Sequence, residues 1–492
     1  MNQKSNRRDF LRLNAAGAFV SLAFPPTSLS STGLRRDGQY QKREKIAVIG
    51  AGLAGLAAAY ELDNLGYETV VLEAQMRAGG RVQTLREAFS DGLYAEAGAM
   101  AIADVDKFTL DYAKKFNLPL QKTNPTGAPR RFFVRGKWLT NPQITPYALN
   151  ANEKRVGLEE LYLHYASTGI KQIGNTELKS WSPAAFTELD KLTVSEYLRK
   201  QGASKDAIEF LRLTELGLYG DGVDSSSALG VLLGEAHYIN AEKFYAIQGG
   251  NDLLPKAFAK RLADKIQYGA AVSGLAQNEN GVKIIGNRKG FSFVLEADRV
   301  VCAVPLTVLG KMEITPPLSQ AKRRAASQLK YSSVSRVYLQ SRTRVWQKYY
   351  QTVRATTDDP RVVYEDQTDT QPKSRRGIVE SHTFGAEARQ IAALTEKERL
   401  RQSVQQLEKL FPDYEKEFEG GTSKCWDDDE FSQGAYVDYQ RGQMIEHFAH
   451  IASPEGRIYF AGEHTSKMFA SMEGALESGR RIVAEIHLSR GK

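Results

Sequence analysis

The residues best placed to do chemistry in this chain are a set of glycines and one acid. Gly50-Ala51-Gly52-Leu53-Ala54-Gly55 follows the short apolar run Ile46-Ala47-Val48-Ile49 and leads into the helix formers Leu56 to Leu62. A second apolar run, Thr69-Val70-Val71-Leu72, ends on Glu73. Strand, glycine turn, helix, strand and terminal acid make a dinucleotide-binding βαβ unit: Gly50 for the tight turn, Gly52 for backbone approach to a pyrophosphate, Gly55 for packing of helix on strand. The free N–H groups and dipole at the helix start favour phosphate there. Glu73 lies eighteen residues beyond Gly55, where a carboxylate can hold the hydroxyl pair of a ribose. The expected ligand is an adenine dinucleotide. Arg77-Ala78-Gly79-Gly80-Arg81-Val82 adds a glycine turn flanked by two guanidinium groups, which suits a second phosphate contact. Tyr94-Ala95-Glu96-Ala97-Gly98-Ala99-Met100 then offers small residues against which a flat ring could lie.

The elements that must position these residues spread over the whole chain. Its 492 residues are too many for one small core, and two closely packed domains are expected. Apolar residues recur at helical spacing in 105–116, 157–167, 192–201 and 205–218, with a short hairpin at 131–138 and a Gly/Asp/Ser-rich connection at 217–228. Strand and turn character returns at 244–250. A helix at 253–263 follows, then strands near 266–276, 281–286 and 291–296, and the buried strand Val300 to Val304 closed by Pro305. Long strands at 334–340 and 377–383, a helix at 386–411 and a last amphipathic helix at 473–488 complete the chain. This predicts an α/β protein. Segments 37–103, 241–310 and 421–492 would form a discontinuous nucleotide-binding domain, with 104–240 and 311–420 inserted as an α+β substrate domain.

Residues 1–36 read as a leader. Asn6-Arg7-Arg8-Asp9-Phe10-Leu11-Arg12 stands before a modest apolar segment and a Pro/Ser/Thr stretch, the layout of a twin-arginine export signal, which implies a periplasmic or secreted protein. The leader holds six of the 66 Lys and Arg and one of the 58 acids, leaving 60 bases against 57 acids, or +3 rather than +8. So small an excess gives no electrostatic case for nucleic acid. The clusters Arg130-Arg131 with Arg135 and Lys137, and Lys373 to Arg376, read as solvated loops. No apolar run approaches the roughly 20 residues that span a bilayer, so no stable membrane anchor is expected. Cys302 and Cys425 lack CxxC spacing, the seven histidines are scattered, and no metal site is expected. A homodimer is compatible with the sequence, and nothing in it fixes the oligomeric state.

Taken together these blocks resemble the flavin-dependent amine oxidases: monoamine, polyamine and L-amino-acid oxidases. The resemblance covers nearly the whole chain after the leader. It rests on the glycine turn, Leu72-Glu73-Ala74, Gly79-Gly80-Arg81-Val82, Ile247-Gln248-Gly249-Gly250-Asn251-Asp252, Ile314-Thr315-Pro316-Pro317, Ser432-Gln433-Gly434-Ala435-Tyr436, Phe460-Ala461-Gly462-Glu463-His464-Thr465 and Met472-Glu473-Gly474-Ala475. Tyr94 to Met100 is closest to the L-amino-acid oxidases. The resemblance implies FAD in a Rossmann-type, glutathione-reductase-like architecture. Gly50, Gly52, Leu53, Ala54, Gly55 and Glu73 with Ala74 would bind the adenosine half. Gly80, Arg81, Gly462 and Glu463 would hold the phosphate and ribityl region, and the Val272 backbone the adenine. Gly98, Ala99, Met100, Ser471, Met472 and Ala475 would surround the isoalloxazine, with the dipole of the last helix aimed at the locus where reduction places negative charge. The implied chemistry is removal of a hydride equivalent from the carbon bearing a neutral amine. Imine hydrolysis to a carbonyl compound and ammonia follows, with oxygen as electron acceptor.

Three departures bear on the substrate. Ala101 stands where L-amino-acid oxidases carry an arginine for the substrate carboxylate. Arg336 stands where much of the family has a lysine bound through water to the flavin. Three roles are open to it: holding that water or balancing reduced-flavin charge, pairing with an acidic substrate group, or lying on the strand surface. It could not act as a base. Tyr436 matches one wall of the family's aromatic cage, while Ser471 replaces the other, with Phe469 or Trp426 as candidate compensators. Two alternatives stay open at this level: an FAD-dependent desaturase or oxidase of a non-amine substrate, and a non-catalytic flavoprotein. Ala435 lies where some monoamine oxidases attach the flavin through cysteine, so FAD is expected to be non-covalent. Acid precipitation should therefore release the yellow chromophore into the supernatant; a yellow pellet would refute non-covalent binding.

Overall fold

A computed structural model describes residues 43–489, apart from 124–129, 140–144, 159, 175–181, 215–218, 351 and 372–373. The leader, Lys373 and the end of the 205–218 segment lie outside the described residues. Among those described, no helix is long and apolar enough to cross a membrane.

The apolar runs on either side of the glycine turn become neighbouring strands. Lys45–Ile49 pairs in parallel with Glu68–Glu73 on one side and Arg299–Cys302 on the other. Ile266–Tyr268 and Ile458–Phe460 complete a five-stranded, all-parallel sheet. Ile46, Ala47, Val48 and Val301 have no exposed surface, as expected of strands covered on both faces. The helix Leu53–Asn64 packs on this sheet, and Gly55 sits so close to the Gly50 carbonyl that a Cβ would overlap it. The C-terminal helix Met472–Ser489 joins it through small residues, Gly479 lying against Ala54, Ala57 and Ala58. The cofactor half of the fold is thus zipped together from both ends of the described chain.

A seven-stranded sheet runs in the order Phe418–Cys425, Val334–Ser341, Gly377–Phe384, Arg361–Asp366, Arg354–Asp358, Arg131–Val134, Lys137–Trp138. The expected hairpin at 131–138 is therefore its edge. The helices Leu161–Ile173, Val194–Lys200, Lys205–Leu211 and Ala228–Tyr238 pack into a common apolar core through residues such as Leu161, Tyr197, Phe210 and Leu232. A three-stranded antiparallel sheet of Ile102–Ala103, Phe244–Ile247 and Leu120–Thr123 lies at the joint between these regions in sequence.

Two expected elements are divided. The strand foreseen at 266–276 breaks at Gly269, whose φ is +67°; Ile266–Tyr268 stays in the parallel sheet and Ala270–Gln277 starts a separate four-stranded one. The helix foreseen at 386–411 is two helices, Gly385–Ala392 and Glu396–Leu410. Thr395 and Glu398 form a reciprocal capping box that starts the second helix.

The glycines separate packing from binding. A Cβ at Gly52 would meet nothing within 4 Å, whereas at Gly55 it would strike backbone. Gly55→Ala should destabilise the protein by about 1–3 kcal/mol through overpacking. Gly52→Ala should leave unfolding by urea unchanged and weaken FAD binding on the order of tenfold, or about 1.4 kcal/mol. Equal stability losses in both variants would contradict this division of roles.

Candidate active site

The residues expected to cradle the cofactor are built on the parallel sheet. Glu73, 7% exposed, accepts hydrogen bonds from Ala51 N at 2.6 Å and Gln75 N at 2.8 Å, which aim its carboxylate at the start of the first helix. Burial pushes its pKa up. That helix has Gly52 as its N-cap and no side chain capping it, so its first N–H groups are open to an anion. Gly79 N donates to Ala51 O at 2.8 Å, placing the second glycine turn beside the first. Arg77 is spent within that turn, donating to Gly80 O at 2.8 Å. Arg81 reaches across 382 residues to Glu463, Nη1 to Oε1 at 2.8 Å, and also donates to Ala435 O at 2.8 Å. Glu463 in turn accepts from Ala470 N at 2.8 Å, and Gly462 N donates to Ser478 Oγ at 2.9 Å. Val272 sits at a bulge in its strand, opposite Gly286. Open space over Gly52, an uncapped helix start and a buried, oriented carboxylate fit the adenosine diphosphate half of FAD.

In the segment Glu96 to Met100, expected to wall the ring, all five carbonyls are held by side chains. Glu96 O accepts from Tyr338 OH at 2.7 Å and Arg336 Nη1 at 2.9 Å; Ala97 O from Trp426 Nε1 at 2.8 Å; Gly98 O from Arg336 Nη1 at 2.9 Å. Ala99 O and Met100 O accept from Asn251 Nδ2 at 3.0 and 2.9 Å. Gly98 is pressed so closely on Arg81 O that no side chain could replace its hydrogen. The Glu96 carboxylate accepts from Thr84 Oγ1 and Asn251 N, both at 2.8 Å, and burial pushes its pKa up to about 7.

Arg336 is buried rather than a surface strand residue. Its Nε donates to His382 Nε2 at 3.3 Å, and Glu380 Oε1 lies 3.3 Å from both Arg336 Nε and His382 Nδ1. Burial, with the nearby guanidinium, holds His382 neutral, and burial pushes Glu380 up to about 7. Burial alone would lower the Arg336 pKa, but Glu380 together with Tyr338 and Tyr436 more than offsets it, so the guanidinium stays charged. An internal carboxylate therefore already occupies the partnership foreseen for an acidic substrate group.

Tyr436 packs among Val334, Val363, Phe384 and Trp426 and keeps part of its surface. Ser471 is the N-cap of the C-terminal helix, accepting from Gly474 N at 2.9 Å and donating to Met468 O at 2.6 Å. Met472 is buried and Ala475 partly so. Met100 and the exposed Ala101 line a cavity of about 120 Å³, whose other walls include Tyr94, Arg354, Glu365 and Asp369.

Sequence reasoning missed Asn251, Tyr338, Glu380 and His382 as parts of the site. A signal existed for two of them: Glu380 and His382 interrupt the apolar run that starts at Ile378-Val379, and an ionisable group in a buried strand requires a partner.

Comparison with known proteins identifies the family. Residues 53–487 match the family described as flavin containing amine oxidoreductase. A protein of Bacillus subtilis (strain 168), provisionally named as an L-amino-acid oxidase, is 32% identical over 470 residues, 91% of this chain and 95% of that protein. The L-amino-acid oxidase of Demansia vestigiata is 26% identical over 483 residues, 94% of this chain and 90% of its own. Among solved structures, putrescine oxidase bound to putrescine superposes with a TM-score of 0.77 at 22% identity, covering 91% of this chain and 99% of that one. Cyclohexylamine oxidase from Brevibacterium oxydans gives 0.75 at 21%, covering 92% and 100%. The chain belongs to the flavin-containing amine oxidoreductases. It is an FAD-dependent enzyme of that family.

The buried cluster carries its own test. Arg336→Met leaves Glu380 uncompensated in the interior, which should cost roughly 3–5 kcal/mol of stability. Adding Glu380→Gln should recover at least about 1 kcal/mol by removing the orphaned charge. Urea unfolding that shows the double variant no more stable than the single one would refute the pairing.

Proposed function

We propose that the enzyme oxidatively deaminates an L-amino acid. The amine-bearing carbon gives up two electrons and its hydrogen, the resulting imine takes up water to yield a 2-oxo acid and ammonia, and oxygen is reduced to hydrogen peroxide. Bound FAD supplies the two-electron acceptance that no protein side chain can provide. The chain's own part is to hold the α-carbon against the clamped 96–100 wall, to offer the face of Tyr436 beside it, and to keep water out. Arg336 takes no proton in this scheme, because a guanidinium is not deprotonated in a protein.

The observation that carries the reading is the cavity next to Met100 and Ala101. Arg354 stands on its wall, 3.9 Å from Glu365, so a guanidinium borders the space where Ala101 itself offers none, and a planar fork can take a second carboxylate beside that internal one. The names of the Bacillus and Demansia relatives support the same substrate class. A second reading, an amine with a further cationic group, is favoured by Glu365 and Asp369 in the same cavity; burial pushes Asp369 up to about 6. Export by the twin-arginine route belongs to the proposal as well, supported by Arg7-Arg8 and the segment after them.

A peroxide assay across L-amino acids and simple mono- and diamines tests the proposal. Peroxide, ammonia and 2-oxo acid should appear in equal amounts with one or more L-amino acids. Arg354→Met should raise KM for that substrate about tenfold, the loss of roughly 1.4 kcal/mol of binding. Peroxide from amines alone would establish the second reading, and no flavin bleaching with any compound under anaerobic conditions would refute both.

A further inference from the structure

Glu380 stands in the buried strand Gly377–Phe384 with no exposed surface, and its two carboxylate oxygens have different surroundings. Oε2 accepts from Gln367 Nε2 at 2.7 Å. Oε1 accepts no hydrogen bond among the described residues, although Arg336 Nε and His382 Nδ1 each lie 3.3 Å from it. A proton placed on Oε1 therefore displaces no existing donor. Arg336 is the one cation paired with Glu380 among the described residues. It is also shared: its Nη1 bridges Glu96 O and Gly98 O, in the segment expected to wall the ring.

The other groups facing Glu380 come from three strands. Tyr338, directly opposite in Val334–Ser341, gives its O–H to Glu96 O. Glu365, directly opposite in Arg361–Asp366, brings a second carboxylate, since residues paired in this way hold their Cβ atoms about 4.5–5.5 Å apart. His382, two residues along the same strand, takes the Arg336 Nε–H through Nε2 and is held neutral by burial and the guanidinium. Glu365 is better compensated than Glu380. It lies 3.8 Å from Arg130 and 3.9 Å from Arg354, and its side chain, 25% exposed, borders the cavity beside Met100. Of the two facing acids, Glu380 is the one with no solvent contact and a single, shared cation. Burial already pushes it up to about 7. A carboxylate so placed takes up a proton once the positive field that keeps it ionised is offset.

We infer that Glu380 is a redox-linked proton site, a carboxylate while the bound FAD is oxidised and a carboxylic acid once reduction has placed negative charge beside Arg336. The balance is simple. A hydride carries one proton and both electrons from the amine-bearing carbon to bound FAD, leaving one negative charge there. A second proton, from solvent, goes to Glu380 Oε1, so the net charge around Arg336 is the same before and after. With oxygen as the acceptor proposed above, hydrogen peroxide takes the two electrons and two protons, one delivered with the hydride and one stored on Glu380. The carboxylate is then restored. Arg336 keeps its charge throughout and links the two sites without itself gaining or losing a proton. The role concerns the family's cofactor and holds for whichever amine is the substrate.

The test uses FAD-loaded enzyme reduced anaerobically by dithionite, with no substrate present, so its outcome is independent of the substrate proposed above. Redox difference infrared spectra are taken at about pH 8, where a group with a pKa of about 7 is mostly ionised in the oxidised enzyme. The C=O band of a protonated carboxyl should appear on reduction in wild type and in Glu365→Gln, and be lost in Glu380→Gln. The midpoint potential of the bound FAD gives a second readout. A neutral side chain opposes incoming negative charge less than a carboxylate does, so Glu380→Gln should shift the potential upward at about pH 8. That shift should vanish toward about pH 5, where wild-type Glu380 is protonated in both redox states. Should Glu380→Gln not fold, Glu380→Asp keeps the acid and should move the band instead of removing it. A wild-type spectrum with no such band overturns the assignment, as does a band that Glu380→Gln or Glu380→Asp leaves unchanged. A band lost in Glu365→Gln, or a potential shift in Glu380→Gln that is the same at both pH values, overturns it as well.

Discussion

Five consecutive peptide carbonyls, from Glu96 to Met100, are each held by a buried side chain, and the rest of the site depends on this. One net hydrogen bond contributes only about 1 kcal/mol, but a buried carbonyl left without a partner costs about 1–3 kcal/mol. The segment is too short of side-chain bulk to hold itself, since Ala97, Gly98 and Ala99 carry at most a methyl group. The restraint must then come from outside. Tyr338 and Arg336 reach in from one strand of the seven-stranded sheet, Trp426 from just beyond another, and Asn251 from the glycine turn after Phe244–Ile247. The same bonds that stiffen the wall tie the seven-stranded sheet to the cofactor half of the fold.

That arrangement depends on a guanidinium at position 336. Arg336 forms two carbonyl bonds through one nitrogen, donates to His382 through another, and lies against Glu380. A lysine ammonium has three donors on a flexible stem and cannot reproduce that planar fork. The guanidinium supplies a fixed positive charge and no movable proton. Glu380, with no exposed side-chain surface, keeps the charge from being an isolated cation in the interior.

Much of this was legible in the sequence, and the boundary has a physical cause. The roles of Gly50, Gly52, Gly55 and Glu73 could be read because a βαβ turn is specified by residues within about 30 positions of each other. Gly462-Glu463 could be read because its pattern is local, although its ion pair with Arg81 spans 382 residues. The clamp could not be read. Arg336 meets Glu96 across 240 residues and His382 across 46, and nothing local to any of them names the partner. The division of 386–411 into two helices was legible and overlooked, since Thr395 and Glu398 carry the spacing of a capping box.

The most direct measurement is a crystal structure of the FAD-loaded enzyme. The isoalloxazine should lie along the backbone of Gly98 to Met100 with all five carbonyl bonds intact, and Tyr436 on the substrate side. A ring seated elsewhere, or a 96–100 segment that gives up its bonds to Arg336 and Asn251 when FAD binds, would contradict a preformed wall.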